Sequence, residues 1–301
     1  MESSLKASVV ICTYNRKEWL LKCYDSLQKL DDEPSEIIIV DGPSNDGTRQ
    51  LIEEWQRHGK VRLVAQKKLE GISAARNLGL STARGDVVCF IDDDVIVAPG
   101  WLDGILSGYK DDKVGGVGGP TYFLDGSLAM GRNKMSVYGD WYDESRGEDT
   151  TGLYPVMLGC NMSFRTEALR SVGGFDPYFR YHRDEDDACI RVDLAGYTIG
   201  FEETAALRHA WCEGSYRRDR FRWYFRLRYL WGRNHAHLVR KNFKGRVTLQ
   251  TYVRNRLPWS TRERPRRVMT ETRTGSLEVP RPLRIMGSML EMLGHAVGWY
   301  G

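Results

Sequence analysis

The chain has 301 residues, enough for one large α/β domain with an appendage or for two domains. Its hydrophobic fraction of 41% is ordinary for a globular protein, and a net charge of +4 is too small to indicate a class of partner. Six scattered cysteines without a C-x-x-C pair argue against a zinc site. The first residues lack a signal-peptide pattern, and no apolar run reaches the ~20 residues of a spanning helix, so we expect a cytoplasmic chain.

Apolar, β-branched runs predict four strands in the first third of the chain, at 7–12, 36–40, 61–65 and 87–91. Apolar residues at helical spacing predict a helix after each of the first three strands. The third of these helices, over 71–80, is expected to turn Ala74, Ala75 and Leu78 inward. This alternation predicts a mostly parallel sheet with helices on both faces, which binds ligands beyond the carboxyl ends of its strands.

The pattern changes after residue 100. We predict a Gly-rich strand over 114–121, a long polar loop over 125–153, a strand over 157–164 and an acidic helix over 184–194. Basic and aromatic residues then crowd the chain from 216 to 267, and a weakly amphipathic segment follows at 283–300. We therefore expect an α/β domain at 1–215 and a basic, aromatic helical region at 216–301.

An acidic triplet, Asp92-Asp93-Asp94, directly follows the fourth predicted strand. Two carboxylates in a D-x-D pattern can hold one hard cation through oxygen ligands. A diphosphate leaving group requires such a cation because negative charge builds on it as its bond breaks. The alternative is an acidic turn that merely ends the strand, but the position at the ligand-binding edge favours a functional site.

Four further candidates each have a structural alternative. Asp41, at the end of the second strand, can accept hydrogen bonds from a ribose or base, although the turn after it explains itself. Arg76 near a helix start can approach phosphates, although small residues there also serve packing. His209 is either a metal ligand or structural. The crowded carboxylates at 184–187 suit a general base or a solvated helix start.

Taken together, six segments resemble the family-2 glycosyltransferases of the GT-A fold over roughly 8–243. The segments lie at 9–16, 40–48, 71–77, 92–94, 159–165 and 173–176. The second departs from the family in having Gly42-Pro43 where an acidic residue and glycine are usual. The resemblance implies an α/β fold of GT-A type: a Rossmann-like mixed sheet, mostly parallel and flanked by helices, with a helical basic C-terminal region.

The resemblance also implies roles for individual residues. Asp94 would bind Mn²⁺ or Mg²⁺, with His209 as a second ligand. Alignment on Arg191 lays Asp184-Glu185 over the family's Glu-Asp pair with the acids swapped, so Glu185 is the favoured base and Asp184 the second choice. The residues expected at the nucleotide are Thr13, Tyr14, Asn15, Arg16, Asp41, Arg76, Asp92 and Asp93.

The implied reaction is an inverting transfer of a sugar from a UDP-, dTDP- or GDP-sugar to a hydroxyl group. The acceptor would be a saccharide or a lipid-linked molecule in polysaccharide or glycolipid assembly at the cell envelope. The basic, aromatic tail suits either a peripheral contact with the cytoplasmic face of a membrane or an ordinary packed helix, and no nucleic-acid-binding motif accompanies it.

Two other functions remain open from the sequence. A sugar nucleotidyltransferase shares the nucleotide-binding architecture but should carry a Gly-rich, basic phosphate loop after the first strand, and residues 13–16 are not such a loop. A binding protein that kept the fold without turnover would explain the swapped acids at Asp184-Glu185.

Overall fold

Two units make up the computed structural model, which describes residues 5–144, 147–210, 220–256 and 281–300. The first unit comprises Met1–Met135 and Trp141–Trp211, and the second comprises Ser136–Asp140 and Cys212–Gly301. The domain boundary predicted at 215 lies outside the described residues, as do parts of the basic tail at 211–219 and 257–280.

The first unit begins with the predicted alternation of strands and helices. The elements are β1 (Ala7–Thr13), α1 (Lys17–Leu27), β2 (Glu36–Asp41), α2 (Thr48–Arg57), β3 (Arg62–Ala65), α3 (Ile72–Thr82) and β4 (Val87–Asp92). Strands β1, β2 and β4 are buried along nearly their whole length, as is usual for parallel strands that helices cover on both faces. The central strand β1 pairs in parallel with β2 on one side and β4 on the other, and β2 pairs in parallel with β3.

Helix α3 turns inward only part of the face that was predicted: Ala75 is buried, but Leu78 is not. Leu78 is exposed, whereas Gly79 is buried against β1. A Cβ atom at Gly79 would lie 2.3 Å from Cγ1 of Val10, so the helix crosses the strand too closely for any larger residue. The expectation for Leu78 was wrong because apolar spacing alone does not reveal such a close crossing.

The remainder of the first unit extends the sheet and adds smaller ones. The elements are β5 (Val95–Val97), α4 (Trp101–Ser107), β6 (Val114–Gly118), β7 (Thr121–Phe123), β8 (Leu128–Met130), β9 (Asn133–Met135), β10 (Trp141–Asp143), β11 (Tyr154–Val156), β12 (Asn161–Arg165), α5 (Thr166–Ser171), α6 (Asp184–Leu194), β13 (Thr198–Phe201) and β14 (Leu207–His209). The large sheet has the order β13-β6-β12-β4-β1-β2-β3, and β12 is antiparallel to β4 and β6, which confirms a mixed, mostly parallel sheet.

The predicted loop over 125–153 is wrong as a structureless segment. It contains three strands, β8, β9 and β10, each only three residues long. Strands this short lack the alternating run of residues that identifies a strand in a sequence, so polar composition dominated the prediction. The strand predicted over 157–164 begins later, at Asn161.

The second unit contains the helices α7 (Arg220–Asn242), α8 (Leu249–Arg256) and α9 (Arg281–Tyr300). Helices α7 and α9 meet at glycines: a Cβ atom at Gly294 would lie 2.1 Å from the carbonyl oxygen of Tyr229, and one at Gly298 would lie 1.9 Å from that of Arg233. The backbones therefore approach each other directly. Over the described part of the chain, no helix is both long enough and apolar enough to span a bilayer.

Candidate active site

The polar residues that follow β1, β2 and β4 meet at one edge of the large sheet. In the parallel register, Thr13 lies opposite Asp41 and Cys12 lies opposite Asp92, so the three strands end at the same level. This is the carboxyl edge, where open parallel sheets bind their ligands. The predicted convergence of these segments is therefore present in the structure.

The three carboxylates of the triplet point to different partners. Asp93 accepts a hydrogen bond of 2.6 Å from the hydroxyl of Thr13 and lies 3.0 Å from Nε of Arg16. Asp94 places Oδ2 at 2.7 Å from Nη2 of Arg16. Burial raises the pKa of Asp93 to about 7, although the charge of Arg16 opposes this shift. Thr13 and Arg16 thus fasten the turn after β4 to the turn after β1.

His209 reaches the triplet through strand pairing. Strand β14 runs antiparallel to β5, which begins directly after the triplet, and His209 lies opposite Val95. Its Nε2 atom lies 3.3 Å from Oδ2 of Asp92 and 3.4 Å from Oδ1 of Asp94. Burial lowers the pKa of His209, but the hydrogen bond to Asp92 and the charge of Asp94 raise it overall. The same hydrogen bond and Arg76 lower the pKa of Asp92 against the effect of burial.

These distances fit a divalent cation. Ligand atoms at neighbouring positions around a cation with bonds of about 2.0 to 2.4 Å lie about 2.8 to 3.4 Å apart. Asp92, Cys160 and His209 also offer ligand atoms within 4.8 Å of one another. Hard cations such as Mg²⁺ and Mn²⁺ prefer oxygen and imidazole to sulfur, so Asp92, Asp94 and His209 suit them better than a set that includes Cys160.

Arg76 connects the triplet to the acidic helix α6. Its Nη1 atom lies 2.5 Å from Oδ2 of Asp184, and its Nη2 atom donates a 2.9 Å hydrogen bond to the carbonyl of Gly159. Nη2 also lies 3.6 Å from Oδ1 of Asp92. Burial opposes the charged form, but the carboxylates of Asp184 and Asp92 raise the pKa of Arg76 overall. Arg76 is therefore held between two groups of carboxylates.

Asp41 holds the turn after β1 and the turn after β2 together. Its buried carboxylate accepts a 2.6 Å hydrogen bond from the hydroxyl of Ser44 and forms an ion pair with Arg49. The hydroxyl of Ser44 in turn accepts a 2.9 Å hydrogen bond from the backbone N–H of Asn15. Both oxygens of Asp41 are thus engaged within the protein. Tyr14 is 40% exposed beside this network.

The departure at Gly42 has a steric counterpart. A Cβ atom at Gly42 would lie 2.9 Å from Cδ2 of Leu69 and 3.0 Å from Cδ2 of Tyr14. The Tyr14 and Leu69 side chains thus occupy the space that a larger residue at position 42 would need.

The start of α6 combines strained backbone with buried ion pairs. His182 and Arg183 have φ values of 63° and 72°, a left-handed conformation that side chains rarely adopt. Arg183 forms a 2.9 Å ion pair with the fully buried Asp186, which also accepts a 3.1 Å hydrogen bond from Nε1 of Trp141. These contacts hold the first turn of the helix in place despite the strained residues before it.

Glu185 and Asp184 lie in that first turn in different environments. Asp184 is buried in its ion pair with Arg76, whereas Glu185 is half-buried. Burial, together with the neighbouring charges of Asp184 and Asp186, raises the pKa of Glu185 well above its ordinary value. Of the two predicted bases, Glu185 is the more exposed residue.

Several residues of this site were not predicted from the sequence. Arg49, Trp141, Cys160 and Arg183 contact or adjoin predicted site residues, yet no spacing in the chain marked them. Cys160 lies within the 159–165 segment that had been singled out, which was the one available signal. Trp141 reaches Asp186 only when distant segments fold together. Arg49 and Arg183 pair with residues nearby in the chain, through side-chain directions that the sequence does not specify.

Sequence comparison with known proteins agrees with the family resemblance that the motifs indicated. Residues 8–173 match the family described as Glycosyl transferase family 2. The chain is 26% identical over 224 residues to the Glucosyl-dolichyl phosphate glucuronosyltransferase of Haloferax volcanii, covering 68% of this chain and 69% of that protein. It is 30% identical over 215 residues to the Pre-mycofactocin glycosyltransferase of Mycobacterium tuberculosis, covering 67% of this chain but 42% of that protein.

Solved structures share the fold at low identity. The mannosyltransferase PcManGT from Pyrobaculum calidifontis, in complex with GDP-Man and Mn²⁺, matches with a TM-score of 0.62 and 19% identity over 99% of this chain and 88% of that one. S. aureus TarS 1-349, in complex with UDP-GlcNAc, matches with a TM-score of 0.57 and 16% identity over 83% and 79%. These likenesses confirm the predicted GT-A type of fold, and together with the family match they show that the chain belongs to glycosyltransferase family 2.

Proposed function

We propose that the protein transfers a sugar from a nucleoside-diphosphate sugar to a hydroxyl group with the help of Mn²⁺ or Mg²⁺. The observation that carries this proposal is the meeting of Asp92, Asp94 and His209 at the carboxyl edge of the sheet, with 3.3 and 3.4 Å between ligand atoms. Two structural relatives add support, since one binds GDP-Man with Mn²⁺ and another binds UDP-GlcNAc.

In this proposal Asp94, Asp92 and His209 hold the cation. When bound, a divalent cation neutralises the charge that builds on a leaving diphosphate. Asp93 does not need to touch the cation, because its hydrogen bond from Thr13 and its ion pair with Arg16 fix the turn that carries its neighbours. Arg16 also limits the rotation of Asp94 through their 2.7 Å contact.

The nucleotide would lie over the turns after β1 and β2. Tyr14 is exposed there, and Asn15 is fixed by its 2.9 Å contact with Ser44. Asp41 would act by ordering Ser44 and Arg49, because both of its oxygens are already engaged. Arg76, between Asp92 and Asp184, would supply positive charge close to the diphosphate.

Glu185 is our proposed general base. A base must be ionised, accessible and matched in pKa to its proton donor. The half-buried Glu185 has a raised pKa, while the carboxylate of Asp184 is already engaged in its ion pair with Arg76. Glu185 would take the proton of the acceptor hydroxyl as the hydroxyl oxygen attacks the anomeric carbon and the nucleoside diphosphate leaves. A single displacement of this kind inverts the configuration of that carbon.

For the acceptor, we propose a saccharide or a lipid-linked molecule. The Haloferax volcanii relative is named for a dolichyl phosphate substrate, which supports the lipid-linked class. Polysaccharide or glycolipid assembly is the setting that this class of acceptor implies.

The proposal is tested by incubating the full chain with UDP-, GDP- and dTDP-sugars, with Mn²⁺, Mg²⁺ or a chelator. We expect one donor class to release its nucleoside diphosphate in a metal-dependent way, faster when saccharide or polyprenyl-phosphate acceptors are added. Pyrophosphate release from a nucleoside triphosphate and a sugar phosphate would instead indicate a nucleotidyltransferase. Tight donor binding without turnover across the acceptor panel would indicate a binding protein.

A further inference from the structure

Helix α9 carries an apolar face that the described residues of the second unit leave exposed. Met289, Met292, Leu293 and Val297 are between 41% and 60% exposed. Their spacing of three and four residues places them on one side of the helix. Four large apolar side chains in a row are unusual on a protein surface and indicate a contact with something apolar.

The opposite side of α9 is already used for packing. Glu291, Gly294 and Gly298 are buried, and the two glycines lie against the backbone of α7. The exposed apolar face is therefore not the side by which α9 joins its own unit.

The charge of this unit is strongly one-sided. Residues 220–256 and 281–300 contain thirteen lysines and arginines but one carboxylate, Glu291. Glu291 is buried and lies 2.5 Å from Nη2 of Arg228. Among the described residues of these two ranges, the exposed charges are thus positive, and they include Arg226, Arg240, Lys241, Lys244 and Arg246.

We propose that the exposed face of α9, formed by Met289, Met292, Leu293 and Val297, docks onto an anionic lipid surface. An amphipathic helix lying in a membrane interface buries its apolar side while nearby cations attract anionic headgroups. A second copy of the chain fits less well, because pairing these units would bring their exposed lysines and arginines together. A nucleic acid would match the charge but would leave the apolar face exposed to water.

The sequence suits a membrane contact in the basic, aromatic region 216–301, and this proposal assigns the apolar part of that contact to α9. It concerns how the protein associates with a surface, and it does not depend on the proposed transfer reaction.

The test is flotation of the full chain with phosphatidylcholine vesicles that contain or lack phosphatidylglycerol. We expect binding to the anionic vesicles, weakened when salt rises from 0.1 to 1 M because the Debye length falls from about 10 to about 3 Å. A Met292→Glu/Leu293→Glu variant should lose at least about tenfold in vesicle affinity, because two carboxylates replace apolar contacts. Leu21→Glu, at an exposed leucine of α1, is the matched control and should bind like the wild type.

Circular dichroism and thermal unfolding of the variant verify that the chain is folded. Equal vesicle binding by the folded variant and the wild type would overturn the proposal. Binding to neutral vesicles that equals binding to anionic ones would also overturn it. Light scattering that shows a dimer in the wild type and a monomer in the variant would overturn it in favour of a second copy. Absent vesicle binding, with RNA binding that weakens as salt rises from 0.1 to 1 M, would overturn it in favour of a nucleic acid.

Discussion

At the scale of single residues, the acidic triplet separates into distinct tasks. Asp93 is directed to Thr13 and Arg16, whereas Asp92 and Asp94 both approach Nε2 of His209. Because Asp92 is as close to His209 as Asp94 is, we propose both carboxylates as metal ligands, which extends the expected pair of Asp94 and His209. This division follows from the turn after β4, whose side-chain directions a sequence does not specify.

Replacing each candidate base by its amide should affect different steps of the reaction. Glu185→Gln removes the proposed proton acceptor, so we expect kcat to fall by about 10² to 10⁴-fold with donor KM nearly unchanged. Asp184→Asn weakens a charged hydrogen bond that holds Arg76, so we expect donor KM to rise by about tenfold.

Steady-state kinetics with the identified donor distinguish these cases, with Glu203→Gln as a control at an exposed carboxylate of the same unit. A full loss of kcat in Asp184→Asn with normal kcat in Glu185→Gln would assign the base to Asp184 instead.

The pH dependence of turnover should report the environment of Glu185. Because the pKa of Glu185 is raised, the base becomes ionised only at higher pH, and kcat should rise with pH above the usual range of a glutamate. Asp186 contributes to this shift by charge, so Asp186→Asn should move the rising limb of the profile to lower pH.

The same variant removes the partner of buried Arg183, and we expect the free energy of unfolding to fall by about 3 kcal/mol. Asp193→Asn removes the same charge from the far end of α6 and serves as the control. An unmoved limb in Asp186→Asn would argue against Glu185 as the group that titrates.

At the scale of elements, the acidic helix shows what sequence can and cannot specify. Its predicted bounds, 184–194, coincide with those of α6. The hydrogen bond from Trp141 to Asp186 was not foreseeable, because Trp141 comes from a segment whose short strands left no periodic pattern. Likewise, His209 reaches the triplet only because β14 pairs with β5, more than a hundred residues earlier in the chain.

The close crossing of α7 and α9 makes a prediction opposite in sign to helix propensity. Alanine stabilises an isolated helix by about 1 kcal/mol relative to glycine. In Gly294→Ala, however, the new Cβ atom would lie 2.1 Å from the carbonyl oxygen of Tyr229, so we expect a net loss of about 1 to 3 kcal/mol in unfolding free energy.

Denaturant unfolding followed by circular dichroism measures this change. Gly100→Ala is the control, because its Cβ atom would meet one carboxylate oxygen at 4.0 Å. Unchanged or increased stability of Gly294→Ala would contradict the close approach of the two helices.

At the scale of the whole molecule, the sequence predicts the sheet of the first unit better than the contacts of the site. The apolar runs that became β1, β2 and β4 are buried strands, and their polar ends fall at one edge as expected. Burial of an apolar run is readable from the run itself. The ion pairs of Arg49 and Arg183 depend on side-chain directions, and the position of Cys160 beside Asp92 and His209 depends on the pairing of distant strands; neither is readable from a run of residues.

The central claim is that Asp94 belongs to a metal site that supports nucleotide binding. Its most direct test is calorimetric titration of UDP, GDP and dTDP into wild type, Asp94→Asn and the exposed control Asp25→Asn, each with and without Mn²⁺. We expect Mn²⁺ to lower the dissociation constant of one of these nucleotides by about tenfold or more in wild type and in Asp25→Asn, and we expect Asp94→Asn to lose this gain. An equal gain from Mn²⁺ in Asp94→Asn would contradict the central claim.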